Sequence, residues 1–131
     1  EYFEGFDESQ YEEETRQRWG NTKAYAQSQA RWKRYSKDQK EAIKAEGGEI
    51  TLRMVPVDAS IPPEDTGVQQ AIADYLAYIN KYFYECDATF LRNLADMWVD
   101  DPRFAVNYER IREGGSVFVR QAVHIFCDRH A

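Results

Sequence analysis

Apolar residues recur every three or four positions between residues 66 and 126, which is the spacing of helices that bury one face. The pattern forms four segments, separated near residues 86–87, 100–102 and 114–115. We predict a core helix in each segment, and the first has the most regular pattern. The apolar members are, in order, Val68, Ala71, Ile72, Tyr75, Leu76, Ile79, Tyr82 and Phe83; Phe90, Leu91, Leu94, Met97 and Trp98; Phe104, Tyr108 and Ile111; and Phe118, Ala122, Ile125 and Phe126.

Polar residues stand just before several of these patterns, where a side-chain oxygen can accept the unpaired N–H groups of a first helical turn. Two pairs also have the spacing of a capping box, in which the two residues satisfy each other's backbone N–H groups. The predicted caps are Ser36 with Gln39, Thr66 with Gln69, Asp87 alone and Ser116 alone.

The stretch Trp98–Phe104 reads as the end of one helix, an acidic turn and the start of the next. Pro102 suits a first helical position because its φ is already fixed, and Asp100 or Asp101 can accept the N–H bonds there. Trp98 and Phe104 flank the turn. We therefore predict a helix–helix corner that buries two large aromatic side chains.

The segment that precedes these helices has a weaker pattern. Ile43, Gly47, Ile50 and Met54 share one face at helical spacing, but two adjacent glycines lie within it. They would cost roughly 2 kcal/mol relative to alanines in a continuous helix. Either another helix crosses closely at Gly47 or the helix breaks there. The run 50–57 is ambiguous between helix and strand, and the prolines at 56, 62 and 63 predict a loop.

Residues 1–42 contain no valine, isoleucine, leucine or methionine, and their larger apolar side chains are all aromatic. A helix over Glu8–Arg18, opened by Asp7 or Ser9, would have little to bury and would be marginal alone. A second helix, capped by Asn21 or Thr22, would place Tyr25, Ser28, Trp32 and Tyr35 on one stripe. We expect this segment to become ordered only by docking onto the rest of the domain or onto a ligand.

Taken together, these patterns predict an all-α chain of six or seven helices, and 131 residues are enough for one domain with its own core.

The net charge of −6 disfavours a nucleic-acid surface, and the basic run at 31–35 is interpreted as a solvated helix face with two buried rings. No apolar run is long enough to span a membrane, and no signal peptide is present. Two cysteines without secretory features favour reduced thiols and a cytoplasmic location. Because the sequence begins with Glu1, we expect it to be part of a longer protein.

The residues that could carry catalysis or bind a metal are few. His124, Cys127 and His130 turn through about 600° of helix, so the three cannot face one metal ion. Haem is set aside because no histidine precedes residue 124. Cys86 is interpreted as a small buried residue, and the pair Asp100-Asp101 as helix caps. We predict no enzyme activity, no metal and no cofactor.

The aromatic share of 15% leaves two interpretations open. In the first the rings are core alone, and in the second they form a pocket for a large, flat, weakly polar ligand. In the second interpretation Trp98 and Asn107 line a pocket beside the helix corner.

Four sequence stretches, in this order and at these spacings, resemble the TipA-type antibiotic-recognition domain over nearly the whole chain. They are GFD at 5–7, RWGNTKAYAQS at 18–28, FYEC at 83–86 and WVDDPRF at 98–104.

This resemblance implies a globin-like helical fold without haem, with a ligand cleft between the N-terminal segment (1–42) and the helical core (43–131). It also implies the effector domain of a MerR-family activator. The DNA would be bound by a separate N-terminal winged helix-turn-helix, and a coiled coil would form the dimer only in the full-length protein. The ligands of the family are large heterocyclic antibiotics, thiopeptides among them. The residues expected to line the cleft are Phe6, Trp19 and Tyr25 from the N-terminal segment and Tyr78, Phe83, Trp98 and Asn107 from the core.

The sequence departs from the thiopeptide-capturing members at one point. Their reactive cysteine is expected one to two turns after the position of Cys86, within Thr89–Leu94, where this sequence has Asn93 and no thiol. We therefore expect noncovalent binding, with Cys86 at most a thiol contact. The alternative function is a stand-alone protein that sequesters drugs.

Overall fold

The computed structural model describes residues 23–130, and their side chains from residue 26 onward. Within that range all the regular secondary structure is helical and no strand is present, as the sequence predicts. The predicted helix over Glu8–Arg18 and the caps Asn21 and Thr22 lie outside the described residues. The helices are α1 Lys23–Lys33, α2 Lys37–Met54, α3 Thr66–Tyr82, α4 Ala88–Asp100, α5 Pro102–Glu109 and α6 Gly115–Arg129.

Helix α2 begins at the predicted capping box and does not break at its glycines. The Ser36 hydroxyl accepts the Gln39 N–H at 3.1 Å, and the Gln39 side chain accepts the Ser36 N–H at 2.8 Å. Gly47 is buried inside the continuous helix, and the Thr51 hydroxyl donates to its carbonyl at 2.8 Å. The ambiguous run at 50–57 is therefore helical as far as Met54 and then enters the predicted proline loop.

Two predicted caps are wrong, because in each case a carboxylate, and not the predicted hydroxyl, accepts the first N–H groups of the helix. Helix α3 is capped by Asp65, whose carboxylate accepts the N–H groups of Gly67 and Val68 at 2.9 and 3.2 Å. A carboxylate can accept two N–H groups at once, and Asp65 stands one residue before the predicted Thr66. At α6, Ser116 lies inside the helix and hydrogen-bonds to Glu109.

The predicted helix corner is confirmed. The Asp101 carboxylate accepts the N–H of Arg103 at 3.0 Å and is the N-cap of α5, with Pro102 at its first position. The Asp101 N–H also bonds to the Met97 carbonyl at 2.9 Å, which closes α4. Trp98 and Phe104 are both buried on either side of this turn.

The helices pack together around one core. Helix α2 packs along α3, and α6 packs against α3, α4 and α5, while α1 lies on α3. None of the helices between residues 23 and 130 is both long and apolar enough to cross a bilayer. The largest side chains that are completely buried are Tyr84, Met54, Ile72, Ile79, Leu91, Leu94, Val55, Val119 and Val123.

Candidate ligand-binding site

A continuous series of aromatic rings runs through the core from α1 to α5, and we call it the aromatic chain. Its members are Trp32, Phe83, Tyr78, Tyr75, Trp98 and Tyr108. Trp32 stacks on Phe83 with ring centroids 5.7 Å apart and planes at 18°. From Phe83 onward the successive centroid distances are 5.6, 5.9, 5.6 and 5.2 Å. All of these distances lie within the range of favourable aromatic pairs.

The aromatic chain includes three of the predicted site residues. Tyr78 and Phe83 touch directly, and Trp98 is joined to Tyr78 through Tyr75. Each of the three predicted residues is only 2% exposed, so they lie in the core. A ligand that contacts them must displace the groups that cover them.

Tyr78 is held in place by a polar contact as well as by packing. Its hydroxyl donates to the carbonyl of Ile43 on α2 at 2.7 Å. Burial, together with the nearby Glu46 carboxylate and Tyr82, raises the pKa of Tyr78 far above its ordinary value. The ring is therefore neutral, and its hydroxyl orients it toward α2.

Phe83 belongs to a short connection, residues 83–87, whose shape is fixed by Asn80. The Asn80 carboxamide oxygen accepts the Cys86 N–H at 2.9 Å, and its nitrogen donates to the Cys86 carbonyl at 2.8 Å. Cys86 is 7% exposed, and its thiol donates to the Asp87 carbonyl at 3.6 Å. Asp87 caps α4 as predicted, by accepting the Phe90 N–H at 2.9 Å. Asn80 thus joins the end of α3 to the start of α4.

Helix α1 and the turn after it dock on this same region through three polar side chains. Arg31 donates to the Asn80 carbonyl at 2.7 Å, and the Tyr35 hydroxyl donates to the Tyr82 carbonyl at 2.8 Å. The Gln27 side chain accepts the Glu85 N–H at 2.9 Å. The last carbonyls of a helix have no partner within it, so α1 supplies partners that α3 lacks. Contacts within the chain therefore account for the order of α1, which is one of the two outcomes expected for this aromatic segment.

The remaining predicted residues divide into two groups. Asn107 is half-buried on α5, next to Tyr108, whose ring packs on Trp98. Phe6, Trp19 and the side chain of Tyr25 lie outside the described residues, although the Tyr25 backbone is in the first turn of α1. The proximity of these three to the core residues therefore stays a prediction.

Among the described residues, a surface groove reaches the aromatic chain. It lies between α2 and α3, has a volume of about 330 Å³, and includes Tyr78 in its lining. Its other walls are mostly charged, and Arg53 bridges Glu49 and Asp74 across it at 2.7 and 3.0 Å. This groove is polar and offers little apolar area to a flat ligand.

His124 and Cys127 of α6, and His130 directly after it, bond to separate partners. His124 Nε2 is 2.8 Å from an Asp96 carboxylate oxygen, and His130 Nδ1 is 2.8 Å from the Phe126 carbonyl. The Cys127 thiol donates to the Ala88 carbonyl at 3.1 Å, and burial raises the pKa of this thiol. The region 23–130 contains no cluster of His, Cys, Asp and Glu that could hold a metal ion.

Sequence reasoning missed three members of the aromatic chain as site residues: Tyr75, Tyr108 and Trp32. Tyr75 precedes Tyr78 by three positions, the helical spacing that places both on one face, so the signal was present in the sequence. Trp32 was assigned to a buried stripe, but its stacking on Phe83 joins residues that are 51 positions apart. No local pattern reports a contact of that kind.

The described part of the chain is an all-α domain whose core rings extend into a connection held by a separate helix. Residues 11–126 match the family model of the TipAS antibiotic-recognition domain, and the chain belongs to that family.

The relatives of this chain extend well beyond it. The HTH-type transcriptional activators TipA of Streptomyces coelicolor and Streptomyces lividans are 37% identical to it over 131 residues, which are 99% of this chain and 52% of theirs. The HTH-type transcriptional activator mta of Bacillus subtilis is 30% identical over 118 residues, 90% of this chain and 45% of mta. The chain thus spans about half the length of the curated relatives that it matches.

A solved structure of similar extent is TipAS of Streptomyces lividans, described as a thiopeptide antibiotic multidrug resistance system in complex with nosiheptide. The two chains are 36% identical, with a TM-score of 0.81 over 98% of this chain and 93% of the other. At that identity and TM-score the shared fold is secure, and the all-α TipAS-type arrangement predicted from the sequence is confirmed.

Proposed function

We propose that this chain is the antibiotic-binding effector domain of a MerR-family transcription activator in the cytoplasm. It would bind large, flat, heterocyclic drugs and catalyse no reaction. DNA would be bound by a separate N-terminal winged helix-turn-helix in the intact protein, and a coiled coil after it would form the dimer. The support comes from the TipAS family membership and from relatives that are named as HTH-type activators.

The aromatic chain is the observation on which this proposal rests. Aromatic rings supply large contact areas at low conformational cost, and a flat heterocycle can stack on them. Trp32, Phe83 and Trp98 belong to three different parts of the fold, so a ligand that shifts one ring changes the packing of the others. Binding at such a site would therefore change side-chain packing in several parts of the domain.

We propose that the ligand lies between this core and the N-terminal segment. Phe6, Trp19 and Tyr25 would close over it, opposite Tyr78, Phe83, Trp98 and Asn107. Because the three core rings are 2% exposed, binding requires a rearrangement, and the free energy of that rearrangement is taken from the binding energy. The conformational change then depends on the ligand, as a transcription switch requires.

Titration of tryptophan emission tests the binding step. Nosiheptide and a panel of other heterocyclic antibiotics are added to the purified chain, and to Phe83→Leu and Val57→Ala variants. The wild type should bind at least one compound, and Phe83→Leu should weaken binding about tenfold or more because a stacking ring is lost. Val57 is 76% exposed, so Val57→Ala should bind as the wild type does. Unchanged emission with every compound would contradict the proposal.

Hydrogen exchange tests the closing step. Amide protection in residues 1–22 is measured with and without the bound antibiotic, and we expect protection to increase on binding. Equal protection in both states would leave ligand binding in place but remove the closing mechanism.

A stand-alone drug-sequestering protein is the second candidate function. The solved TipAS chain has almost the same extent as this one, which favours a domain that can exist by itself. The complete coding sequence discriminates between the two functions. A helix-turn-helix followed by heptads upstream of residue 1 supports the regulator, and a start codon at that point supports sequestration.

A further inference from the structure

Two side chains of α1 and one in the turn that follows it, spaced four residues apart, contact one short stretch of backbone. Gln27, Arg31 and Tyr35 bond to Glu85, Asn80 and Tyr82 respectively, and we call these three side chains the α1 anchor. Residues four apart lie on the same side of a helix, so Gln27 and Arg31 share one edge of α1, and Tyr35 follows in the turn after the helix. Each of these bonds is made to a backbone carbonyl or N–H group. The bonds therefore do not depend on which side chains the stretch 80–85 carries.

The stretch that the α1 anchor contacts is also the one that carries Phe83. The Asn80 side chain fixes the end of this stretch at Cys86, and the Asn80 carbonyl accepts the bond from Arg31. Trp32, next to Arg31, stacks on Phe83 with centroids 5.7 Å apart. A displacement of Phe83 therefore changes both the ring contact with α1 and the backbone to which α1 is bonded.

Electrostatics favour this arrangement. The carboxyl end of a helix carries partial negative charge, and the Arg31 guanidinium lies at the carboxyl end of α3. The Tyr35 ring adds an edge contact with Trp32 at 5.7 Å and another with Tyr82 at 6.4 Å. Helix α1 is consequently held by polar bonds at its edge and by rings beside them.

We infer that Gln27, Arg31 and Tyr35 are positioning residues, which make α1 and the Phe83 stretch move as one body. The inference rests on the proposed function, because the site whose closure they control is the drug site. By this inference, the α1 anchor determines how slowly a bound drug leaves. Loss of its bonds allows α1 to separate from Phe83 and the site to open more often.

Dissociation kinetics test the inference. The variants are Tyr35→Phe, which removes one hydroxyl and keeps the ring, Arg31→Ala and Arg31→Lys. The matched control is Arg34→Ala, since Arg34 is exposed and its side chain makes no hydrogen bond or ion pair within residues 26–130. We expect nosiheptide, or the best ligand of the panel, to leave Arg31→Ala about tenfold faster with a nearly unchanged association rate. Arg31→Lys should recover part of the loss, and Arg34→Ala should match the wild type.

Hydrogen exchange of the ligand-free protein gives an independent measurement. Protection of the α1 amides should fall in Arg31→Ala and Tyr35→Phe, while that of α4 and α6 stays at the wild-type level, which also verifies that the variants fold. Wild-type dissociation rates in both variants, or unchanged α1 protection, would overturn the inference. If the wild type binds no compound, the proposed function fails instead, and the exchange measurement still decides whether the α1 anchor holds α1.

Discussion

Trp98 of α4 and Tyr108 of α5 pack ring against ring across the helix corner, with centroids 5.2 Å apart and planes tilted by 36°. The pair places the last two members of the aromatic chain on the two sides of the turn at Asp101-Pro102. Asn107, the predicted polar residue of the site, is adjacent to Tyr108 in α5. The geometry of the corner therefore sets the position of one end of the proposed site.

Asp101 should be the residue on which this corner depends. Its carboxylate accepts the Arg103 N–H and also pairs with the Arg103 guanidinium at 2.8 Å. We expect Asp101→Ala to lower the unfolding free energy by about 1 kcal/mol, and Asp101→Asn to recover most of that loss because asparagine caps as well as aspartate. Asp100→Ala is the matched control, since that exposed carboxylate makes no hydrogen bond within residues 26–130. Chemical denaturation measures all three, and equal effects at 100 and 101 would contradict the assignment.

Glu109 should make the stability of the α5–α6 connection depend on pH. Its carboxylate accepts the N–H groups of Ser116 and Gly114 at 2.9 and 2.8 Å, and the Ser116 hydroxyl at 2.8 Å. These bonds, that of the Ser116 N–H first, hold the pKa of Glu109 below its ordinary value. A lowered pKa in the folded state stabilises the protein above the pKa of the unfolded state, and this contribution is lost as the pH falls through the folded-state pKa.

Glu109→Gln should therefore cost about 1–2 kcal/mol at pH 7, because the amide cannot replace every accepted bond. The difference from the wild type should shrink as the pH is lowered from 5 toward 3. Glu113→Gln, an exposed carboxylate of the same turn without a hydrogen bond among residues 26–130, should change the unfolding free energy by less than about 0.5 kcal/mol. A difference at Glu109 that does not vary with pH would show that the carboxylate charge is not involved.

The features that could be predicted from the sequence are those in which cause and effect lie within one helical turn. Ser36, Asp87 and Asp101 each cap a helix through an N–H two or three residues away, so the local pattern contains the whole interaction. The core helices follow from apolar spacing for the same reason. Thr66 was the wrong cap because Asp65, its neighbour, satisfies the same rule with a better acceptor.

The features that could not be predicted join distant positions. Gln69, assigned to a capping box, donates instead to the Pro63 and Ala122 carbonyls at 2.9 and 3.0 Å, and Ala122 is 53 residues away. The stacking of Trp32 on Phe83 is equally remote in sequence. These contacts follow from the packing of helices against one another, which the local pattern of one sequence does not reveal.

The two glycines at the start of α6 should differ sharply in their tolerance of alanine. A Cβ on Gly115 would lie 2.3 Å from the Tyr108 carbonyl oxygen, a backbone atom that cannot move aside alone. Gly114 has φ of +82° with open space around its Cβ position, so alanine there meets only backbone strain. We expect Gly114→Ala to cost about 1–2 kcal/mol and Gly115→Ala to cost clearly more, about 3 kcal/mol. Thermal unfolding measures both, and a Gly115→Ala variant as stable as the wild type would contradict the close approach of α5 and α6.

Ligand capture by this domain should leave no covalent bond. Cys86 is 7% exposed, and its thiol already donates to the Asp87 carbonyl, while Cys127 is 4% exposed with a raised pKa, so neither thiol is poised as a nucleophile. Intact-mass measurement after incubation with nosiheptide should give the mass of the chain alone, and Cys86→Ser should bind with the affinity of the wild type.

Leu91→Cys in α4 would be a poor control because Leu91 is completely buried. Asn93 is exposed and lies in the stretch where thiopeptide-capturing relatives are expected to have their thiol, so Asn93→Cys is the informative variant. Formation of an adduct by that variant alone would show that the chain holds the ligand in the geometry of its relatives without the reactive group, whereas an adduct on wild-type Cys86 would contradict noncovalent binding.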